Sequence, residues 1–119
     1  MDRDTPMLGE FEIIGRFFTR PARRAVLGVG DDAALLRPAP GHDLVAATDM
    51  MVAGRHFLPD ADPASLGHKV LAVNLSDMAA MGAAARWATL ALALPEAEVG
   101  WLEAFARGFF ALADRHGVD

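Results

Sequence analysis

Residues 62–82 read DPASLGHKVLAVNLSDMAAMG, the stretch that most clearly decides the secondary structure of this chain. Asp62 is a favoured residue for capping a helix, and Pro63 suits the first helical position because its missing N–H is not needed there. Apolar side chains then recur at helical spacing. We therefore expect a long helix that runs to about Met81 and is ended by Gly82, a residue that readily adopts left-handed backbone angles.

Two further helices are predicted on either side of this stretch. Residues 9–18 carry apolar side chains at helical spacing, and Glu10 lies where a helix N-terminus favours negative charge. Residues 99–116 have one apolar stripe with charged side chains elsewhere, and Gly117 follows as a stop signal. Both segments are therefore predicted to form amphipathic helices.

Three apolar segments predict β-strands. Residues 33–36 follow the glycine turn at residues 28–30, and residues 44–52 are almost continuously apolar. In residues 87–94, large and small apolar side chains alternate with a period of two. The predicted order is α-β-β-α-β-α. This order favours an α+β fold, a small mixed sheet covered by helices, with residues 1–119 forming a single domain.

The composition excludes several classes of function. Sixteen acidic and eleven basic side chains give a formal net charge of −5, which disfavours nucleic-acid binding. The chain has no cysteine, so it has neither disulfides nor a thiolate metal site. No secretory signal or membrane-spanning apolar run is evident, and we predict a cytoplasmic protein without a membrane partner. The hydrophobic fraction of 53% exceeds what a small domain usually buries and predicts a homodimer.

Four aspartates lie where a packed core has little use for them. Asp31 and Asp32 follow the glycine turn, and Asp49 lies inside a predicted strand. Asp77 continues the apolar stripe of the long helix, where a carboxylate directed at the core is costly unless a positive charge meets it. Taken singly, they have simpler explanations: turn formation, the end of a strand, or a side chain that reaches solvent.

A shared cation explains the aspartates together. All-oxygen ligands without histidine favour magnesium, which usually binds through few carboxylates and the phosphates of a substrate. The chain has no Walker A motif, and its lone Gly-x-Gly turn is weak evidence for nucleotide binding. Lys69 and Asn74 share the helix of Asp77 and either bind phosphates or face solvent. His56 taken alone is typical of a surface loop.

Five motifs follow one another along the chain: GEFEIIGRFF at 9–18, GVGDDAALL at 28–36, ATDMMVAGRHF at 47–57, DPASLGHKVLAVNLSDMAAMGA at 62–83 and WATLALALP at 87–95. Together they resemble the thiamine-monophosphate kinases, and the resemblance extends from Gly9 to Val118. It implies a superfamily shared with aminoimidazole ribonucleotide synthetase and selenophosphate synthetase, and with it the N-terminal domain of the aminoimidazole ribonucleotide synthetase-like fold.

The resemblance implies ATP-dependent phosphorylation of thiamine monophosphate to thiamine diphosphate, with ATP as co-substrate and magnesium as cofactor. It assigns a substrate contact to His56 and no catalytic nucleophile. Ala47 stands where the family commonly has a hydroxyl residue, so a ligand there would be its backbone carbonyl. The residues that the resemblance assigns to magnesium are Asp32, Thr48, Asp49 and Asp77.

The resemblance covers less than half of the family's length. The next element of the family, Gly-Gly-Asp-Thr, serves nucleotide and metal and is not reached at Asp119. We therefore expect the N-terminal domain of a truncated two-domain kinase, inactive by itself. Two alternatives stay open: a related ATP-using enzyme with another acceptor, and a non-catalytic dimerisation fragment.

Overall fold

A computed structural model of the chain describes residues 8–51, 60–94 and 96–119. Helix α1, Glu10–Ile13, continues directly into a π-helical turn, Ile14–Phe18. Helix α2 spans Pro63–Ala80, and helix α3 spans Val99–His116. The three predicted helical regions are confirmed. Within the described residues, no helix is long and apolar enough to cross a membrane.

The predicted ends of the two long helices are also confirmed. The Asp62 carboxylate accepts a hydrogen bond from the Ser65 backbone N–H at 2.9 Å, and this bond lowers the pKa of Asp62. Pro63 occupies the first position of α2. Gly82 and Gly117 follow the helices with φ angles of +67° and +64°, which a residue without a Cβ adopts at little cost.

Helices α2 and α3 approach each other closely at two glycines. A Cβ placed on Gly67 of α2 would clash with the carbonyl oxygen of Phe105. A Cβ placed on Gly108 of α3 would clash with the carbonyl oxygen of Ala64. The missing side chains therefore allow backbone-to-backbone contact between the two helices.

Most of the core belongs to α3. Phe105 is almost wholly buried, and the ring of Phe18 from the π-helical turn meets it edge-on at 6.3 Å between centroids. The N-terminal helical region therefore packs on α3. The buried apolar residues are Leu66, Leu71, Leu102, Phe105, Ala106, Phe109, Leu112, Ala113 and Val118.

The predicted α+β fold, with its α-β-β-α-β-α order and mixed sheet, is wrong for the residues that the structure describes. Those residues form three helices, and their β pairing is limited to one antiparallel bridge between Leu27 and Leu35. Apolar alternation indicates which faces can be buried, whereas a strand also needs a neighbouring backbone to pair its N–H and C=O groups. Residues 33–36 and most of 44–51 are exposed and form no ladder.

The third predicted strand, residues 87–94, has backbone pairing only at its start. The Ala88 N–H donates to the Asp119 carbonyl oxygen at 2.7 Å, and the Asp119 N–H donates to the Arg86 carbonyl oxygen at 2.9 Å. These two bonds fix the beginning of the segment against the residues that follow α3. They do not extend into a strand.

Candidate functional site

Asp49 lies in a surface cavity of about 290 Å³ beside helix α2. Met50 and Met51 line this cavity from the same segment, and Lys69 and Val73 line it from α2. The structure thus brings one predicted site residue, Asp49, against the helix that carries another. We call this space the Asp49 cavity.

Asp77 lies on the row of α2 that borders the Asp49 cavity. Lys69, Val73 and Asp77 are spaced four residues apart, so their side chains follow one another along one side of the helix. Of the buried residues of α2, Leu66 begins this same side of the helix, whereas Gly67 and Leu71 lie on a different side. The row therefore leads from the cavity toward the C-terminal end of α2.

The prediction that Asp77 points into the core is wrong. Asp77 is exposed. Of the apolar stripe predicted before it, Leu66 is buried, whereas Val70 and Val73 are only partly buried. The buried side of α2 instead includes Gly67, where the backbone approaches α3, and Leu71. Counting apolar side chains missed this side because a glycine contributes none. In the described structure the Asp77 side chain reaches solvent.

Asp31 and Asp32 lie in a turn closed by the bridge between Leu27 and Leu35. The Leu35 N–H donates to the Leu27 carbonyl oxygen at 2.9 Å. Gly30 has a φ of +113°, a backbone conformation that residues with a Cβ rarely adopt. Both aspartates are exposed on the turn, so the glycine turn places their carboxylates in solvent.

Asp119 fixes the segment that leads into this turn. Its Oδ2 atom accepts hydrogen bonds from the backbone N–H groups of Arg23 at 2.9 Å, Arg24 and Ala25 at 2.8 Å. Arg24 also donates from Nε to the Gly117 carbonyl oxygen at 2.8 Å. The residues just after α3 therefore hold the segment before the glycine turn.

The hydrogen bonds to Asp119 also change its acidity. Desolvation by burial raises the pKa of this carboxyl, but the three N–H bonds and the charge of Arg24 outweigh it, and the pKa is lowered. Sequence reasoning did not single out Asp119. Its partners are more than ninety residues away along the chain, and neither composition nor periodicity reports such a contact.

The four predicted magnesium ligands form a preformed metal site only if their side chains lie close together. Their oxygen atoms suit magnesium chemically, and all four residues are exposed. Within the ranges that the structure describes, however, no three His, Cys, Asp or Glu residues are grouped closely enough to hold a metal ion. These residues therefore do not fit a preformed magnesium site. His56, the predicted substrate contact, lies outside the described residues.

A second, larger cavity of about 350 Å³ lies near the C-terminal ends of α2 and α3. Alanine and other apolar side chains form most of its wall, together with Arg86 and His116. None of the predicted site residues lines it. Volume alone therefore does not identify the candidate site, and the chemistry favours the Asp49 cavity.

The sequence is similar to that of known kinases. It is 56% identical over 113 residues to the thiamine-monophosphate kinase of Salmonella typhimurium, a match that covers 92% of this chain and 35% of that protein. It is 54% identical over 113 residues to the thiamine-monophosphate kinase of Escherichia coli strain K12, with the same coverage of both chains. The chain thus spans about a third of the length of the curated relatives it matches, and the resemblance seen in its motifs is confirmed.

A solved structure has a similar fold. The crystal structure of thiamine-monophosphate kinase from Stenotrophomonas maltophilia superimposes with a TM-score of 0.74 at 50% sequence identity, covering 91% of this chain and 34% of that one. The family described as AIR synthase related protein, N-terminal domain, matches residues 30–119. This match begins at the last residue of the glycine turn, Gly30, and takes in the Asp49 cavity and both long helices. The chain therefore belongs to the family of AIR synthase related proteins and represents its N-terminal domain.

Proposed function

We propose that this chain is the N-terminal part of a kinase that transfers the γ-phosphoryl group of ATP to thiamine monophosphate, giving thiamine diphosphate. The observation that carries the proposal is the 56% identity to the Salmonella typhimurium kinase over 92% of this chain. Because the chain matches 35% of that protein, the remaining parts of the active site would come from sequence equivalent to its other two thirds. The 119-residue chain alone is expected to be inactive.

The proposed contribution of this chain is a set of oxygen ligands, of which Asp49 lines the Asp49 cavity. We assign Asp32, Thr48, Asp49 and Asp77 to magnesium, and His56 to thiamine monophosphate. Magnesium would neutralise charge on the phosphate groups during transfer. Because the described residues lack a cluster of three such ligands, the ion is not expected to bind the chain alone.

The chain's own residues would act by position and by charge. Phosphoryl transfer needs its two reactants held in line, and it requires no protein nucleophile. The cavity between Asp49 and α2 offers a fixed wall, because α2 is capped by Asp62 and packed backbone-to-backbone on α3. Ligands that α2 carries are thereby held in a constant orientation.

We also propose that two copies associate in the cytoplasm, because large apolar side chains are exposed. Phe11, Met50 and Met81 are 84%, 76% and 68% exposed. The radius of gyration, 15.4 Å, exceeds the value of about 13.5 Å expected for a compact domain of this length. Exposed apolar surface of this kind is typical of association surfaces.

The same exposure favours the second candidate, a non-catalytic association module. A monomer at high micromolar concentration, measured by light scattering, would contradict both the dimer and this second candidate. A dimer without any catalytic contribution would favour the module.

Exchange of the matching segment in a known kinase tests the proposal. Residues 8–119 would replace the equivalent third of the Salmonella typhimurium enzyme, and transfer of labelled phosphate from ATP would be measured with thiamine monophosphate and with other phosphate-bearing acceptors. We expect the chimera to phosphorylate thiamine monophosphate within about tenfold of the parent rate, since the sequences are 56% identical. A folded chimera that fails to do so, or that prefers another acceptor, would contradict the proposal.

A further inference from the structure

The chain contains a single lysine, Lys69, and the structure places it in the Asp49 cavity. The other ten basic residues are arginines. Lys69 is exposed on α2, one helical turn before Val73 and two before Asp77. It is the only cationic residue among the described residues that line the cavity. One cationic and one anionic residue, Lys69 and Asp49, therefore line the same cavity.

The wall of the cavity combines one cationic side chain with apolar ones. Met50, Met51 and Val73 supply apolar surface, and Lys69 supplies the positive charge at the solvent-exposed side of the cavity. The ammonium group has three donors and no acceptor, so it suits an oxyanion such as phosphate. At about 290 Å³, the cavity is close to the lower limit of small-molecule pockets, about 300 Å³. It can admit a phosphate group but is small for a whole nucleotide.

The charge of Asp49 makes a cation necessary if a phosphate enters this cavity. A phosphate beside a carboxylate experiences like-charge repulsion, which a positive charge in the same cavity offsets. Lys69 supplies that charge from a helix whose N-terminus is capped and whose buried face is fixed on α3. None of the arginines that the structure describes lines the cavity.

We propose that Lys69 is a phosphate-binding residue, contacting a phosphate group of either the nucleotide or thiamine monophosphate at the Asp49 cavity. The proposal rests on the proposed kinase function and adds a residue to its site. The alternative is that Lys69 only keeps the surface of α2 hydrated. In that case the environment of its ammonium group would not change when phosphate is added.

The single lysine allows a direct test on the intact chain. Reductive methylation with ¹³C-formaldehyde labels Lys69 and the N-terminal amine and keeps their charges. The signal that is missing from labelled Lys69→Arg protein is assigned to Lys69. Inorganic phosphate, ADP and thiamine monophosphate are titrated in turn, against adenosine, thiamine and sodium chloride at matched ionic strength. We expect the Lys69 signal to shift saturably with phosphate-bearing compounds only.

The arms of the titration also identify the source of the phosphate. Saturation at lower concentration with ADP indicates the nucleotide, whereas saturation at lower concentration with thiamine monophosphate indicates the acceptor. An unchanged Lys69 signal with all three phosphate compounds would overturn the proposal. So would an equal shift with sodium chloride, because it would reflect ionic strength alone.

Matched variants separate a phosphate contact from a general charge effect. In unlabelled protein, Lys69→Met should weaken phosphate binding about tenfold or more, and Lys69→Arg should restore most of it. Arg37→Met removes the same charge from an exposed residue that does not line the cavity, and it should leave affinity unchanged. Equal affinity of Lys69→Met and the parent would overturn the proposal. Phosphate binding that depends on Lys69, without phosphorylation of thiamine monophosphate by the chimera, would contradict the kinase function and leave the Lys69 contact standing.

Discussion

The Oδ2 atom of Asp119 accepts the backbone N–H of Arg23 at 2.9 Å, joining residues 96 positions apart. The same atom accepts the N–H groups of Arg24 and Ala25. Replacement Asp119→Ala should therefore release the segment before the glycine turn. We expect a lower Tm and faster tryptic cleavage after Arg23 and Arg24.

The control for this prediction is Asp43→Ala, which removes an exposed carboxylate that receives no hydrogen bond in the described structure. Its Tm and its cleavage pattern should match those of the parent. Asp119→Asn keeps one oxygen acceptor and should fall between Asp119→Ala and the parent. Identical cleavage of Asp119→Ala and the parent would show that the contact does not hold the segment in solution.

Stability should also depend on pH through Asp119. Its pKa is lower in the folded chain, because the three N–H bonds and Arg24 outweigh the desolvation that raises it. Its contribution is then fully present above the unfolded value of about 3.9 and is lost as pH falls through the lowered folded pKa. The Tm difference between the parent and Asp119→Asn should therefore shrink between mildly acidic pH and about pH 2. A difference that is constant over this range would contradict the assignment.

The close contact of α2 and α3 predicts that alanine is not tolerated at two glycines. Gly67→Ala and Gly108→Ala each place a methyl group against a carbonyl oxygen of the facing helix. Urea unfolding should show a loss of about 1–3 kcal/mol or more for either variant, as is typical of overpacking. Gly100→Ala lies on the same α3, where the added atom meets only the end of the Glu98 side chain at 3.2 Å. This control should be neutral or stabilised, and a comparable loss there would contradict the packing explanation.

Magnesium alone should have little effect on the free chain. The described residues form no group of three metal-binding side chains, and an ion stabilises a fold only by binding the folded state. We expect millimolar magnesium to shift the Tm by no more than about 1 °C, and by the same amount in Asp77→Asn as in the parent. A rise of several degrees that Asp77→Asn abolishes would show that the carboxylates do converge without a nucleotide.

The helices could be predicted from the sequence because their signals are local. Asp62 and Pro63 begin α2, Gly117 ends α3, and each acts within one turn of its own position. The sheet could not be predicted in the same way. A strand forms only where a neighbouring backbone pairs with its N–H and C=O groups. The alternation in residues 87–94 indicates only which side chains can be buried.

The sequence indicated which residues could belong to the candidate site, but it did not predict how they are arranged in space. Asp49 does line a cavity beside α2, whereas Asp77 faces solvent rather than the core. The buried side of α2 is centred near Gly67, which no count of apolar side chains can detect. Asp119 contacts residues more than ninety positions earlier in the chain. The periodicity of side chains within one segment gives no information about such a contact.

The central claim is that the Asp49 cavity forms part of a thiamine-monophosphate kinase site. The most direct measurement is the rate of phosphate transfer from ATP to thiamine monophosphate by the chimera that carries residues 8–119, compared between Asp49→Asn and Asp43→Asn. Each variant removes one exposed carboxylate, but only Asp49 lines the cavity. The account predicts that Asp49→Asn lowers the rate at least about 100-fold, as loss of a preorganised charged group does, while Asp43→Asn changes it less than about twofold. Equal rates for the two folded variants would contradict the claim.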